Sequence, residues 1–207
     1  MDRAIAPLHE ISERIKERLS KRYEARERAI ILSREIIYLC FTSIRCAHRE
    51  EIDKGEELLK RAMDILKDIK IGLEGFPELL YSGFLQEAEK ELSEAAITLS
   101  IIGRREIPKP EDIDVSYNSY LHGLGEAVGE LRRYVLDLIR RGEDGGEEIL
   151  DTMEEIYLAL TQMDFPDAIT GGLRRTTDNV RGIIERTRGD LSLYIAQRRL
   201  ERKLERG

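Results

Sequence analysis

From Leu8 to Asp53 the chain carries neither glycine nor proline, a run longer than most helices of globular domains. Within it Leu8, Ile11, Ile15, Leu19 and Tyr23 recur every three or four residues, ahead of a denser apolar stretch from Ile36 to Ile44. That period is one face of an α-helix, so the run predicts one very long helix or two joined nearly end to end. A chain that opens this way buries its apolar face most simply by laying further helices along it.

The remaining signals agree. A second helix is expected from about Lys54 to Leu73, closing at "GLEGFP", where Gly72, Gly75 and Pro77 stop and restart the chain. A third spans Pro77 to Ile102 and ends at Gly103. The loop "RREIPKPEDID" leads to a fourth, from near Asp114 to Gly142. Breaks at "GEDGG" and "MDFPDAITGG" bound a fifth helix and open a sixth, and Gly189 predicts a bend before the last segment. No strand alternation, internal repeat or low-complexity tract stands out, and the connections are short enough to set sequential helices side by side. The expectation is all-α: one domain over residues 1–207, a bundle of six or seven helices. The end "QRRLERKLERG" has no apolar stripe beyond Leu200 and Leu204 and reads as a solvated or partner-docking helix end.

Composition narrows the function. Charged residues make up 36%, aromatics 6%, and tryptophan is absent, the usage of long amphipathic helices. Amides are confined to Gln86, Asn118, Gln162, Asn179 and Gln197, a scarcity that points to a thermophilic source. A net charge of −7 excludes coating nucleic acid with the whole surface, since counterion release needs Lys and Arg gathered at the contact; any such site is a local patch. Cys40 and Cys46, six apart on a helix, face different directions and do not pair, which fits a reducing compartment. No stretch has the pattern of a signal peptide or the apolar length of a membrane span, so a soluble, cytoplasmic protein without a membrane partner is expected.

The chemistry lies in two segments. "EKELSEAAITLSIIG" sets Glu91 and Glu94 on one face of the third helix, and "YNSYLHGLGEAVGELRRYVLDLIRRG" sets Glu126 and Glu130 on one face of the fourth. If the two helices form an antiparallel hairpin, depth counts from their loop. At about 1.5 Å per residue Glu91 and Glu126 lie level at roughly 18 Å, with Glu94 at roughly 14 Å and Glu130 at roughly 24 Å. The apolar stripes run through Ala88, Leu92, Ala95 and Leu99 on the third helix and Leu121, Leu124, Val128, Leu131, Val135 and Leu138 on the fourth. Both leave the glutamates outside the intramolecular core. Ser119, Gly123 and Gly129 are small residues near the glutamates that let something approach closely. Hard carboxylate oxygens suit Mg²⁺, or Mn²⁺, which bind through a few carboxylates plus substrate phosphate and can activate water for displacement at phosphorus. The competing reading of such spacings in a Glu-rich chain is a solvated acidic face.

Other chemistries lack their residues. None of His9, His48 and His122 follows a glutamate by three positions, so the di-iron bundle pattern is missing; His48 and His122 read as packing or substrate-edge residues. There is no Walker loop, dinucleotide fingerprint, zinc cysteine cluster or nucleophile elbow. A nucleoside triphosphate pyrophosphohydrolase takes Glu91 and Glu94 as its first acidic pair, but Glu148 and Asp151, the nearest second pair, lie beyond an intervening helix.

These segments resemble the translin family, specifically its catalytic branch, the translin-associated factor X proteins. "YLHGLGEAVGELRRYVLDLIRRGE" is similar to a family helix through Tyr120, Leu121, Gly123, Glu126, Gly129, Glu130 and Leu131, and "ELSEAA" through Glu91, Glu94 and Ala95. "YEARERAIILSREI" matches at Leu32, Ser33, Arg34, Glu35 and Ile36, followed by His48 and Arg49, and "GLRRTTDNVRGIIERTRGDLSLYIAQ" looks like the family's final helices. The resemblance spans nearly the whole chain, and its strength is the order and spacing of short motifs. It implies a seven-helix fold in a closed hollow octamer, a homo-octamer for this chain, with single-stranded RNA or DNA held inside. It also implies a Mg²⁺-dependent endoribonuclease of thermophilic archaeal type. Glu91, Glu94 and Glu126 would hold the metal, and Glu130 would orient water or a second ion. Glutamates that point away from the bundle core then point into a lumen. Two departures stand out: Glu126 replaces the family's usual Asp, and "LLYSGFLQ" lacks the Arg and His cluster that the non-catalytic branch carries ahead of the third helix. RNA contacts are therefore expected from Arg34, Arg49 and Arg132 or Arg133. The alternatives are a non-catalytic single-stranded nucleic-acid scaffold and, behind it, the pyrophosphohydrolase.

Overall fold

The first helix, α1 (Asp2–His48), is unbroken over 47 residues, roughly 70 Å at 1.5 Å per residue. In this computed structural model, which describes residues 2–205, α2 (Ile52–Gly72) folds back along α1, pairing Ser43 with the Gly55 carbonyl at one end and Arg18 with the Gly75 carbonyl at the other, both at 2.9 Å. α3 (Gly83–Ile102), α4 (Tyr117–Arg141), α5 (Gly146–Thr161), the single turn α6 (Asp167–Thr170) and α7 (Leu173–Leu204) complete the described elements, among which there is no strand. The all-α class and the seven helices are those expected.

α3 is the central element. It packs against α1, α2 and α4, and Leu85, Ala88, Leu92, Ala95 and Ile97 have no exposed surface. Burying each of the larger side chains contributes about 1.5–3 kcal/mol. The expected helix from Pro77 is divided: Pro77–Leu79 is a 3₁₀ turn, and the chain is extended at Ser82 (φ −74°, ψ 142°) before α3 begins at Gly83. α7 passes through Gly189 without a break, where a bend was expected. A glycine costs a helix interior only about 1 kcal/mol, which the packing of Ile184, Thr187 and Leu191 offsets.

The largest correction concerns α3 and α4, which run parallel and not as a hairpin. Ser119 bonds the Gln86 carbonyl at 3.1 Å, Gly123 lies against Lys90 and Ser93, and Tyr134 lies beside Ile101 and Ile102. Position therefore rises on both helices together. The connection, residues 103–116, retraces α3. Arg104 (φ 54°) turns the chain back and Asp114 (φ 53°) turns it again; both lie in the left-handed region that non-glycine residues seldom adopt. Between them Arg105 pairs with Asp53 and Glu56 near the start of α2, and Lys70 near its end reaches the Asp114 carbonyl. A 14-residue link reaches up to about 46 Å, against roughly 30 Å for α3, so its length fits either topology. The arrival is fixed by Glu89, a buried carboxylate that accepts from the Ser116 amide at 3.1 Å and hydroxyl at 2.7 Å and faces Lys70 at 3.3 Å. Ser116 is the N-cap of α4.

α5 runs antiparallel to α4, and α7 returns parallel to it. Cys40 and Cys46 are buried and unpaired. Leu8, Ile11, Ile15 and Leu19 stay exposed on the part of α1 that precedes the bundle, as do Leu200 and Leu204 at the far end of α7. Among the described residues, no helix is long and apolar enough to cross a membrane.

Candidate metal centre

Glu91, Glu94 and Glu126 each offer a carboxylate oxygen, and the three oxygens lie within 4.8 Å of one another. No other group of three or more acidic, His or Cys ligands is this close among the described residues. Helical geometry explains the convergence. Glu91 and Glu94 share a face of α3 at a spacing of three. Glu126 is brought to them by Gly123 one turn earlier on α4, where a Cβ would stand 2.6 Å from the Lys90 carbonyl oxygen, 2.6 Å from Ser93 Cβ and 2.9 Å from the Glu94 amide. The close approach that the small residues permit is thus that of α3 itself. Gly129 faces open space.

Exposure differs across the triad. Glu126 is exposed, whereas Glu91 and Glu94 are largely covered, so Glu94 is more buried than the apolar stripes implied. Burial pushes the Glu94 carboxyl up to about 8, with the charges of Glu91, Glu126 and Glu130 adding to the shift and Lys90 opposing it. Burial also raises Glu91, against the pull of Lys90. The same burial, with Glu91 and Glu94 behind it, raises the Cys40 thiol of α1.

The fourth carboxylate stands apart. Glu130 accepts from His48 at the end of α1, Nε2 to Oε2 at 2.6 Å, and its Oε2 lies 3.6 Å from Arg133. The His48 hydrogen bond outweighs burial and holds Glu130 below the usual carboxylate range. Lys90 lies against the triad, its Nζ 3.0 Å from Glu126, 3.6 Å from Glu91 and 2.9 Å from Glu87. Burial disfavours its charge, but the hydrogen bonds to Glu87 and Glu126 prevail and raise its pKa.

The arginines diverge. Arg132 is turned away from the glutamates, donating to Thr187 at 3.1 Å and Asp190 at 2.8 Å on α7. Arg133 is exposed beside Glu130, Arg34 is exposed on α1, and Arg49 is exposed in the turn that follows α1. His122 is a packing residue, held by Thr176 and the Thr170 carbonyl, each at 3.0 Å. Glu148 faces Arg104 at 3.5 Å on the surface and Asp151 is exposed on α5, so the second acidic pair of a pyrophosphohydrolase is not brought to the first. Sequence reading missed Lys90, Glu89 and the His48–Glu130 contact. Only the spacing of Lys90 from Glu87 left a local signal.

The donor set fits a hard divalent cation: three carboxylates at converging distance, two of them shielded from water. No family model matches the sequence. An uncharacterised protein of Methanocaldococcus jannaschii is 31% identical over 191 residues, covering 91% of this chain and 84% of that one. The crystal structure of AfC3PO is 35% identical, covers 89% of this chain and 95% of its own, and superposes with a TM-score of 0.79. The structure of AfC3PO with duplex RNA gives 34% identity and a TM-score of 0.77 over 89% of this chain and 94% of that one. That of apo-NeC3PO, at 21% identity, 88% of this chain and 96% of its own, shares the fold with a TM-score of 0.79.

Proposed function

Because the chain belongs to the translin and C3PO family, we propose that it is a metal-dependent endoribonuclease cutting single-stranded RNA within a homo-oligomer. The observation that carries this reading is the convergence of Glu91, Glu94 and Glu126 to within 4.8 Å. These three would hold Mg²⁺ or Mn²⁺, which when bound supplies Lewis acidity at phosphorus and a more acidic water. Glu130, fixed by His48 one turn beyond Glu126, would orient the attacking water or a second ion. Arg34, Arg49 and Arg133 are exposed cations for the phosphate backbone. AfC3PO has been captured with duplex RNA, which supports RNA as the ligand here. Attack in line with the leaving oxygen favours a flexible strand over a duplex as the substrate. The unpartnered apolar stripe of Leu8, Ile11, Ile15 and Leu19 supports assembly with further copies, and an octamer is the size we propose.

The test is incubation of end-labelled single-stranded and duplex RNA with the protein in Mg²⁺ or EDTA, beside Glu126→Ala. Fragments that need the metal and disappear in the variant are expected; equal cleavage by the variant removes the assignment. One observation favours a second reading, a scaffold that binds without cutting: Lys90 already neutralises two of the three ligands. Intact RNA that shifts on a native gel, insensitive to Mg²⁺ and weakened steeply by salt, is its signature.

A further inference from the structure

Lys90 sits one residue before Glu91 on α3, and its side chain is only 18% exposed. Its ammonium touches three carboxylates, and two of them, Glu91 and Glu126, belong to the triad. The third, Glu87, is more open to solvent at 52% and lies one turn nearer the start of α3. The ammonium donates hydrogen bonds to Glu87 and Glu126 and stands 3.6 Å from Glu91 as an ion pair. The contact to Glu126 also crosses from one helix to the other, so Lys90 ties α3 to α4 at the height where Gly123 brings their backbones together.

This creates a competition. A divalent cation on the triad takes oxygens of Glu91 and Glu126, and the ammonium already lies 3.0 Å from both oxygens of Glu126 and 3.6 Å from Oε1 of Glu91. The side chain has somewhere to go, since Glu87 is a separate partner on its outer side. Resting on the metal reading above, we propose that Lys90 is a built-in counter-cation of the triad: it neutralises Glu91 and Glu126 when no metal is bound and must release them for a divalent ion to enter. Lys90 is then a positioning residue that sets the metal concentration at which the site fills. Without the lysine, the three carboxylates would hold a cation more strongly.

The test is calorimetric titration of Mn²⁺ into the full-length protein without RNA, comparing wild type with Lys90→Met and Lys90→Gln. Loss of any nearby positive charge strengthens cation binding by relieving long-range repulsion, so Arg133→Met, which removes a cation beside the neighbouring Glu130, serves as the control. Lys90 holds Glu126 by a charge-assisted hydrogen bond and Glu91 by an ion pair at 3.6 Å, so releasing both contacts should tighten Mn²⁺ binding about tenfold or more in both Lys90 variants. Arg133→Met should move it by about twofold at most. In parallel, acylation of Lys90 by an amine reagent should be slow in EDTA and faster in saturating Mg²⁺. Unchanged or weaker affinity in the Lys90 variants, or a gain that Arg133→Met matches, overturns the proposal while leaving the metal reading standing. No Mn²⁺ binding by wild type or either Lys90 variant overturns both.

Discussion

His48 and Glu130 lie 82 positions apart in the chain and 2.6 Å apart in space, joining the last turn of α1 to the middle of α4. His48 is 7% exposed, and its other nitrogen, Nδ1, is buried without a hydrogen bond, 4.0 Å from Asp137. The contact keeps Glu130 ionised and outside the triad. His48→Ala should lower stability by about 1–3 kcal/mol, the cost of breaking a buried charged hydrogen bond. The depressed carboxyl of Glu130 contributes stability that is present above about pH 4.5 and lost as pH falls through its lower folded value. The gap between wild type and His48→Ala should therefore narrow on acidification below pH 4.5, as read by thermal melts across pH.

Glu94 has the opposite sign. Its carboxyl is raised from 4.5 to about 8 by burial first and by neighbouring glutamates second. A raised acid favours the fold fully below pH 4.5 and loses that contribution as pH climbs through 8. In EDTA, Glu94→Gln should melt with wild type at pH 4 and several degrees above it at pH 9, about the shift that 1–2 kcal/mol produces in a chain of this size. Coincident melts at both values would count against the burial of this group.

Gly123 sets the distance between the two halves of the site. An added methyl meets backbone on two sides, at 2.6 Å and 2.9 Å, and backbone does not rotate out of the way. Gly123→Ala should cost about 1–3 kcal/mol, the range for overpacking, and should weaken Mn²⁺ binding because Glu126 is carried away from Glu91 and Glu94. Gly129→Ala, which meets nothing within 4 Å, should be neutral or slightly stabilising by helix propensity. Denaturant melts and metal titration of the pair make the comparison.

Glu89 anchors the start of α4. Glu89→Ala removes the acceptor of the Ser116 amide and hydroxyl, leaving the hydroxyl with Ser119 and Lys70 with the exposed Asp114. A loss of about 1–3 kcal/mol is expected for the amide left without its acceptor, whereas Glu89→Gln, which keeps an acceptor, should cost less. Urea unfolding of both variants measures the difference.

How much of this was legible depends on whether the signal is local. The apolar period of α1, the glycines that close α2 and α4, and the facing of Glu91 with Glu94 are local, and each is written in a few adjacent residues. Direction is not. Pro108 and Pro110 keep residues 103–116 extended but do not say whether the chain makes a tight return or retraces α3. The level placement of Glu91 and Glu126 was reached by counting from a hairpin that does not exist. It holds because the two residues stand eight and nine positions beyond the first residues of parallel helices, Gly83 and Tyr117. Contacts such as Lys90 with Glu126, Glu89 with Ser116 and His48 with Glu130 join segments that share no spacing, and a list of acidic residues cannot separate the three that converge from the one that is tied elsewhere. Arg132 shows the same limit, since its pairing with Thr187 and Asp190 on α7 joins segments 55 and 58 residues apart.

The parallel course of α3 and α4 also bears on how the molecule comes into being. A helical hairpin closes through a short turn, whereas here α4 reaches α3 through a 14-residue connection that contacts α2 at Asp53, Glu56 and Lys70. High separation between contacting segments slows folding. A nascent chain that ends before α4 holds Glu91, Glu94 and Lys90 without Glu126, so the three carboxylates meet only once α4 has followed the connection into place.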